Sequence, residues 1–121
     1  MPDPNVTTYS ILVGNVISRW RKIQNFDQTA LAQEVGVSQS TWSRTERGQI
    51  AITAEQLLRV ADALGVQPTT ILAEADRLRS ELKNKENVEV VSSKEAEGMG
   101  VGAALLTAAA IGVLIAALSR K

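Results

Sequence analysis

Residues 28–48 read QTALAQEVGVSQSTWSRTERG, and this stretch decides the fold. Its pattern predicts one helix over 28–35 and another over 39–47. Gly36 suits the left-handed conformation that often follows a helix, and Ser38 can cap the start of the next one. Two short helices joined by such a turn can place the second helix in the major groove of DNA. The stretch therefore predicts a helix-turn-helix.

Apolar residues on both sides of this stretch recur at helical spacing. They predict three further helices, near 8–24, 54–64 and 68–85. No alternating pattern reaches a useful strand length, and VEVV at 88–91 is too short to build on. We therefore expect an all-α, five-helix domain over residues 8–83, after a flexible N-terminus at 1–7.

The run from Val13 to Leu72 resembles the Cro/C1-type helix-turn-helix domain of the xenobiotic-response-element (XRE) family. The matching pieces are Ile17 and Arg21 in the first helix, Gln28, Leu31 and Ala32 in the second, Gly36-Val37-Ser38 in the turn, Ser43-Arg44-x-Glu46-Arg47-Gly48 after it, and Ala61-Asp62-Ala63-Leu64-Gly65-Val66 in the fourth helix. This resemblance covers about half of the chain.

The resemblance implies that Gln28 touches a phosphate and that Gln39, braced by Gln28, reaches a base edge. The residue types agree, because a helix N-terminus attracts phosphate and a glutamine amide can pair with adenine through two hydrogen bonds. The remaining candidates for DNA contact are Ser38, Ser40, Thr41, Ser43, Arg44 and Arg47. The alternative interpretation is that these are exposed polar and charged residues without a ligand.

Arg21 and Glu46 resemble the internal ion pair that joins the first and third helices in this family. We expect the pair to be structural, because removing one partner would leave the other charge unpaired. Trp42 occupies a position that is aliphatic in the family, so we expect it in the core. Thr45 departs from the pattern, which usually has an apolar residue there.

Composition argues against an enzyme. The chain has no cysteine and no histidine, which removes the commonest metal ligands and the commonest general base. No nucleophile–base set or phosphate-binding loop is present, so we expect no metal and no cofactor. Residues 1–76 carry six basic and eight acidic residues, a net charge of −2. DNA binding would therefore depend on where the cations lie.

Residues 98–119 form an uncharged run of 22 residues that follows a polar linker at 84–97. As a helix the run would be roughly 33 Å long, and a bilayer core needs about 20 apolar residues. We therefore predict a single transmembrane helix. The alternative is a buried hydrophobic helix that drives oligomerisation, but we expect so small a domain to offer too little surface to cover it.

Small residues recur every fourth position in this run, at Ala104, Ala108, Gly112 and Ala116. Such a stripe lets helices pack closely in lipid, so it predicts a dimer in the membrane. More basic residues precede the run than follow it. This favours a single-pass protein of the inner membrane with its N-terminal domain in the cytoplasm.

The sequence leaves two main functions open. The first is a membrane-anchored, sequence-specific transcriptional regulator that binds double-stranded DNA as a homodimer. The second is a membrane-anchored adaptor that uses the same fold to bind a cytoplasmic protein, which the near-neutral charge favours. A membrane-active protein built on the apolar run would leave the folded domain unexplained.

Overall fold

The structure is a computed structural model that describes residues 5–98 and 104–118. The helix-turn-helix unit consists of α1 (Tyr9–Ile23), α2 (Gln28–Val35), α3 (Gln39–Glu46), α4 (Ala54–Leu64) and α5 (Pro68–Glu86). It is flanked by β1 (Asn5–Thr8), β2 (Val88–Val91), α6 (Ser93–Gly98), β3 (Ala104–Leu105) and α7 (Ala108–Leu118).

Side-chain caps fix the start of three helices in this unit. The Thr8 hydroxyl accepts a hydrogen bond from the Ile11 amide at the start of α1, and Ser38 accepts one from the Thr41 amide at the start of α3. Thr53 forms a capping box with Gln56 at the start of α4, which satisfies two backbone N–H groups at once. Asp27 precedes α2 without a side-chain cap bond. The three caps set where α1, α3 and α4 begin.

The core forms where α1 packs against α3 and α5, and where α2 packs against α3 and α4. Its largest fully buried side chains in this unit include Leu12, Ile17, Leu31, Trp42 and Ile71. Gly14 lies where α1 crosses the end of α3, and a Cβ there would lie 2.4 Å from the Glu46 carbonyl oxygen. Only glycine permits this approach, which fixes the position of α3.

The all-α expectation is wrong because three strands form a parallel sheet in the order β2-β1-β3. Asn5 pairs with Val88 on one side of β1 and with Ala104 on the other. The strands are too short to show a periodic pattern, and parallel strands pair only across long connections. Neither the strands nor their pairing can therefore be recognised in a local stretch of sequence.

The predicted membrane helix at 98–119 is also wrong. Within residues 5–98 and 104–118, no helix combines the length and the apolar character needed to cross a bilayer. The apolar run instead contains β3 and the 11-residue α7, which packs on α1 and α5 and buries Ile111, Ile115 and Leu118. The expectation that the domain lacks surface for this run failed because α1 and α5 present an apolar face to it.

The predicted inner-membrane location and the predicted helix packing within a membrane are overturned by the same finding. Ala108 and Gly112 are half-buried, and a Cβ added at Gly112 would lie 3.6 Å from the Asn15 side-chain nitrogen of α1. Ala116 is exposed and Ala104 lies in β3. The rest of the predicted span, 99–103 and 119, lies outside the described residues.

Candidate nucleic-acid interface

The turn between α2 and α3 follows directly from its sequence. Gly36 adopts a left-handed conformation with φ of 89°, and its amide donates to the Ala32 carbonyl over 2.9 Å. The Val37 amide donates to the same carbonyl over 3.1 Å. Since glycine enters this conformation without a steric penalty, the chain reverses here, and Ser38 starts α3 immediately afterwards.

Gln28 and Gln39, the two glutamines expected to act together, are hydrogen-bonded to each other. The Gln39 Nε2 atom donates to the Gln28 Oε1 atom over 2.7 Å. Each residue is the first of its helix, so the turn brings the starts of α2 and α3 together. Gln39 is exposed and Gln28 is half-buried. The Gln39 side chain is thus accessible to a ligand, and the less exposed Gln28 side chain supports it through this hydrogen bond.

Glu46 lies beneath this pair and accepts four hydrogen bonds. Its Oε1 atom accepts from Arg21 Nη2 and Gln28 Nε2, each at 3.0 Å. Its Oε2 atom accepts from Arg21 Nε and Trp42 Nε1, each at 2.8 Å. The side chains of Arg21 and Glu46 are only 12% and 5% exposed. A buried charge needs this degree of pairing to be tolerated.

The Arg21–Glu46 ion pair joins α1 to α3, as the family resemblance predicts. Arg21 also donates from Nη1 to the Phe26 carbonyl over 3.1 Å. It therefore connects the end of α3 to the loop between α1 and α2. The arrangement holds the three helices that carry the candidate site in one fixed relation.

The remaining candidates lie on α3 or directly beside it, since Ser38 precedes the helix and Arg47 follows it. Ser40, Arg44 and Arg47 are exposed, whereas Thr41 and Ser43 are half-buried. The Ser38 hydroxyl also donates to Thr41 Oγ1 over 3.0 Å. Neither arginine forms an ion pair within the described residues, so both guanidinium groups are free to neutralise an anion.

A groove of about 450 Å³ lies between α1, α3 and α7, next to this surface. Lys22 and Arg47 contribute cations to its lining, and Ser43 contributes a hydroxyl. Ala108 and Gly112 of α7 form part of the opposite wall. The apolar segment of the chain thus borders the helix-turn-helix surface directly.

Sequence reasoning missed the role of the Trp42 indole nitrogen, although it expected the ring in the core. The ring is fully buried and its N–H binds Glu46. The spacing of the two residues, four apart on one helix, was the signal that could have revealed the contact. Thr45 is buried as well, and its hydroxyl donates to the Thr41 carbonyl over 3.0 Å. That bond satisfies a polar group at a position that is usually apolar.

The chain is similar to known proteins in sequence and in structure. An uncharacterized HTH-type transcriptional regulator, y4wC, of Sinorhizobium fredii is 32% identical over 92 residues. The match covers 69% of this chain and 64% of that protein.

Two crystal structures of the clp gene regulator ClgR from Corynebacterium glutamicum are also similar. One matches with a TM-score of 0.62 at 25% identity, covering 65% of this chain and 84% of ClgR. The other matches with a TM-score of 0.54 at 28% identity, covering 56% of this chain and 88% of ClgR.

The family model described as "Helix-turn-helix domain" matches residues 13–73, which is half of the chain. This range contains α2, the turn and α3, together with most of α1 and the whole of α4. The chain therefore belongs to the helix-turn-helix domain family.

Proposed function

We propose that the chain is a sequence-specific, DNA-binding transcriptional regulator of the Cro/C1 type that inserts α3 into the major groove. The hydrogen bond between Gln39 and Gln28 is the observation that carries the proposal. An exposed glutamine held at the start of a recognition helix is preorganised to contact a base edge. The similarity to the regulators y4wC and ClgR agrees with this function.

Phosphate contacts would come from the groups around Gln39. The N-terminal ends of α2 and α3 lie together, and helix N-termini attract phosphate. Arg44 on α3 and Arg47 directly after its end are exposed, without ion-pair partners among the described residues. These local cations supply the attraction that residues 1–76 as a whole, with their net charge of −2, do not.

The protein would bind as a homodimer. One α3 helix reads few base pairs, and a domain with little positive charge gains little non-specific affinity. Two linked domains bind two half-sites at a high effective concentration. Helix-turn-helix dimers place their half-sites about one turn of DNA apart, roughly 34 Å. We therefore expect the preferred site to be an inverted repeat with that spacing.

Selection of binding sites from random double-stranded DNA tests the proposal. We expect an inverted repeat to emerge, and we expect Gln39→Ala to weaken binding to it about 5- to 150-fold, which corresponds to the loss of one good base contact. Gln67→Ala is the matched control, because Gln67 is exposed between α4 and α5, away in sequence from α2, the turn and α3. If no sequence were enriched, or if the two variants bound alike, the proposal would be rejected.

A further inference from the structure

The donors around Glu46 determine which way the Gln28 amide faces. A carboxylate paired with a guanidinium can only accept hydrogen bonds. Gln28 lies against the Glu46 Oε1 atom at 3.0 Å, so it has to present its Nε2 group there. Its own carbonyl oxygen is then turned towards Gln39. This orientation follows from the chemistry of the carboxylate and from the positions of the side chains.

The orientation of Gln28 in turn determines that of Gln39. Because Gln28 presents a carbonyl oxygen, Gln39 has to donate to it from Nε2, over 2.7 Å. The exposed amide of Gln39 keeps one N–H and its carbonyl oxygen for a ligand. Adenine offers the complementary pair in the major groove, an acceptor at N7 and a donor at N6.

The opposite orientation would favour a different base. If Gln28 presented its Nε2 group to Gln39, the Gln39 carbonyl oxygen would be engaged and two N–H groups would face the groove. Two donors fit guanine, which offers acceptors at N7 and O6. On the basis of the proposed function, we propose that Glu46 makes Gln39 select adenine over guanine. Glu46 acts as a positioning residue through Gln28, without touching DNA.

Trp42 and Arg21 make the effect of a substitution at Glu46 predictable in sign. Both donors to Oε2 come from these two residues, whereas Oε1 receives one bond from Arg21 and one from Gln28. In a Glu46→Gln variant the new amide would keep its oxygen at the Oε2 position, where Arg21 Nε and Trp42 Nε1 donate. Its nitrogen would then face Gln28. Gln28 would then reverse, and Gln39 would present two donors.

The test measures the ratio of affinities for adenine and guanine at the base pair that Gln39 reads. That base pair is the one at which Gln39→Ala loses discrimination on a panel of single substitutions in the selected site. We expect wild type to prefer adenine about 5- to 150-fold. Glu46→Gln should lower the ratio at least about tenfold, and Gln28→Leu, which removes the connection, should bring it towards unity.

Glu74→Gln is the matched control. Glu74 also accepts an indole N–H, from Trp20 over 3.0 Å, but it lies outside the Gln28–Gln39 connection. The same chemical change there should leave the ratio as in wild type. Circular dichroism tests whether each variant is folded. If Glu46→Gln fails to fold, Gln28→Leu alone decides the question, because it leaves the Arg21 and Trp42 bonds to Glu46 in place.

The outcomes separate the inference from the proposed function. If wild type selects no DNA sequence, the proposed function fails. If wild type and Gln39→Ala behave as expected but either a folded Glu46→Gln variant or Gln28→Leu keeps the wild-type ratio, only the role of Glu46 is rejected. A wild-type preference for guanine at this base pair would also reject it.

Discussion

The helix-turn-helix unit, α1 to α5, and the flanking segments, β1, β2, β3 and α7, are built on different principles. In the unit, caps and turns act within a few residues, as Ser38 does for α3 and Gly36 for the end of α2. In the flanking segments each element is stabilised by a distant partner. β1 pairs with β2 and β3, and α7 packs on α1 and α5. Local sequence therefore specifies the first region much more completely than the second.

The two regions also differ in the kind of interaction that holds them. The centre of the unit is a buried, charged network around Glu46, in which direction matters for every bond. The flanking α7 is held by aliphatic side chains such as Ile111 and Ile115, and apolar burial has no preferred direction. Precise geometry is thus concentrated next to the proposed DNA-reading surface.

The largest expected effect is at the charged network. Arg21→Ala would leave the buried Glu46 carboxylate without its guanidinium, and we expect the free energy of unfolding to fall by about 3–5 kcal/mol. The control is Lys83→Ala, which breaks the ion pair between Lys83 of α5 and Glu89 of the flanking strand β2, where both side chains are substantially exposed. That change should cost about 1 kcal/mol or less. Urea denaturation measures both losses of unfolding free energy, and equal losses would contradict the expected difference between the buried and the exposed ion pair.

The next effect tests whether α7 belongs to the same folded unit. Ile111 is fully buried, so Ile111→Ala should lower the free energy of unfolding by about 2–5 kcal/mol. Val113 lies on the same helix but is 71% exposed, so Val113→Ala should have little effect. If both variants unfolded like wild type, α7 would contribute nothing to the core and the two regions would be energetically separate.

The smallest effect concerns the junction of the two regions, at Tyr9. Burial, then the 2.7 Å hydrogen bond to Asp76, then the charge of Asp76 raise the pKa of Tyr9 from 10.0 to about 12. The folded state therefore favours the neutral phenol more than the unfolded chain does. The resulting stabilisation is complete below pH 10 and is lost as the pH rises towards about 12.

Tyr9→Phe provides the comparison, because Tyr9 is the single tyrosine of the chain. Stability measured by urea denaturation between pH 9 and about 12 should fall more steeply for wild type than for Tyr9→Phe. Parallel curves would show that Tyr9 titrates alike in the folded and unfolded states.

The sequence was informative where a signal is contained within one helix or turn. The spacing of apolar residues located the helices, and Gly36 with Ser38 located the turn. It was misleading at residues 98–119. The hydropathy of a segment indicates that the segment is removed from water, but it does not indicate what covers the segment. Whether lipid or protein does so depends on the apolar face of α1 and α5, which exists only in the folded chain.

For the candidate site, the family resemblance brought Gln28, Gln39, Arg21 and Glu46 into consideration, but it did not connect them. The four hydrogen bonds to Glu46 involve residues from three helices, and the direction of each amide depends on its neighbours. The sequence names these polar residues but does not show which group donates to which. The role of these residues in binding DNA stays a prediction for the experiments above.

The central position of β1 has a consequence for the biosynthesis of the protein. A ribosome makes β1 before either of its neighbours, because Asn5 pairs with Val88 and Val6 with Leu105. At roughly 5–20 residues per second, β1 has to wait on the order of 4–20 s before its partners are synthesised. The helices of the helix-turn-helix unit can pack during that interval. The strand that is synthesised first is therefore among the last to reach its final place.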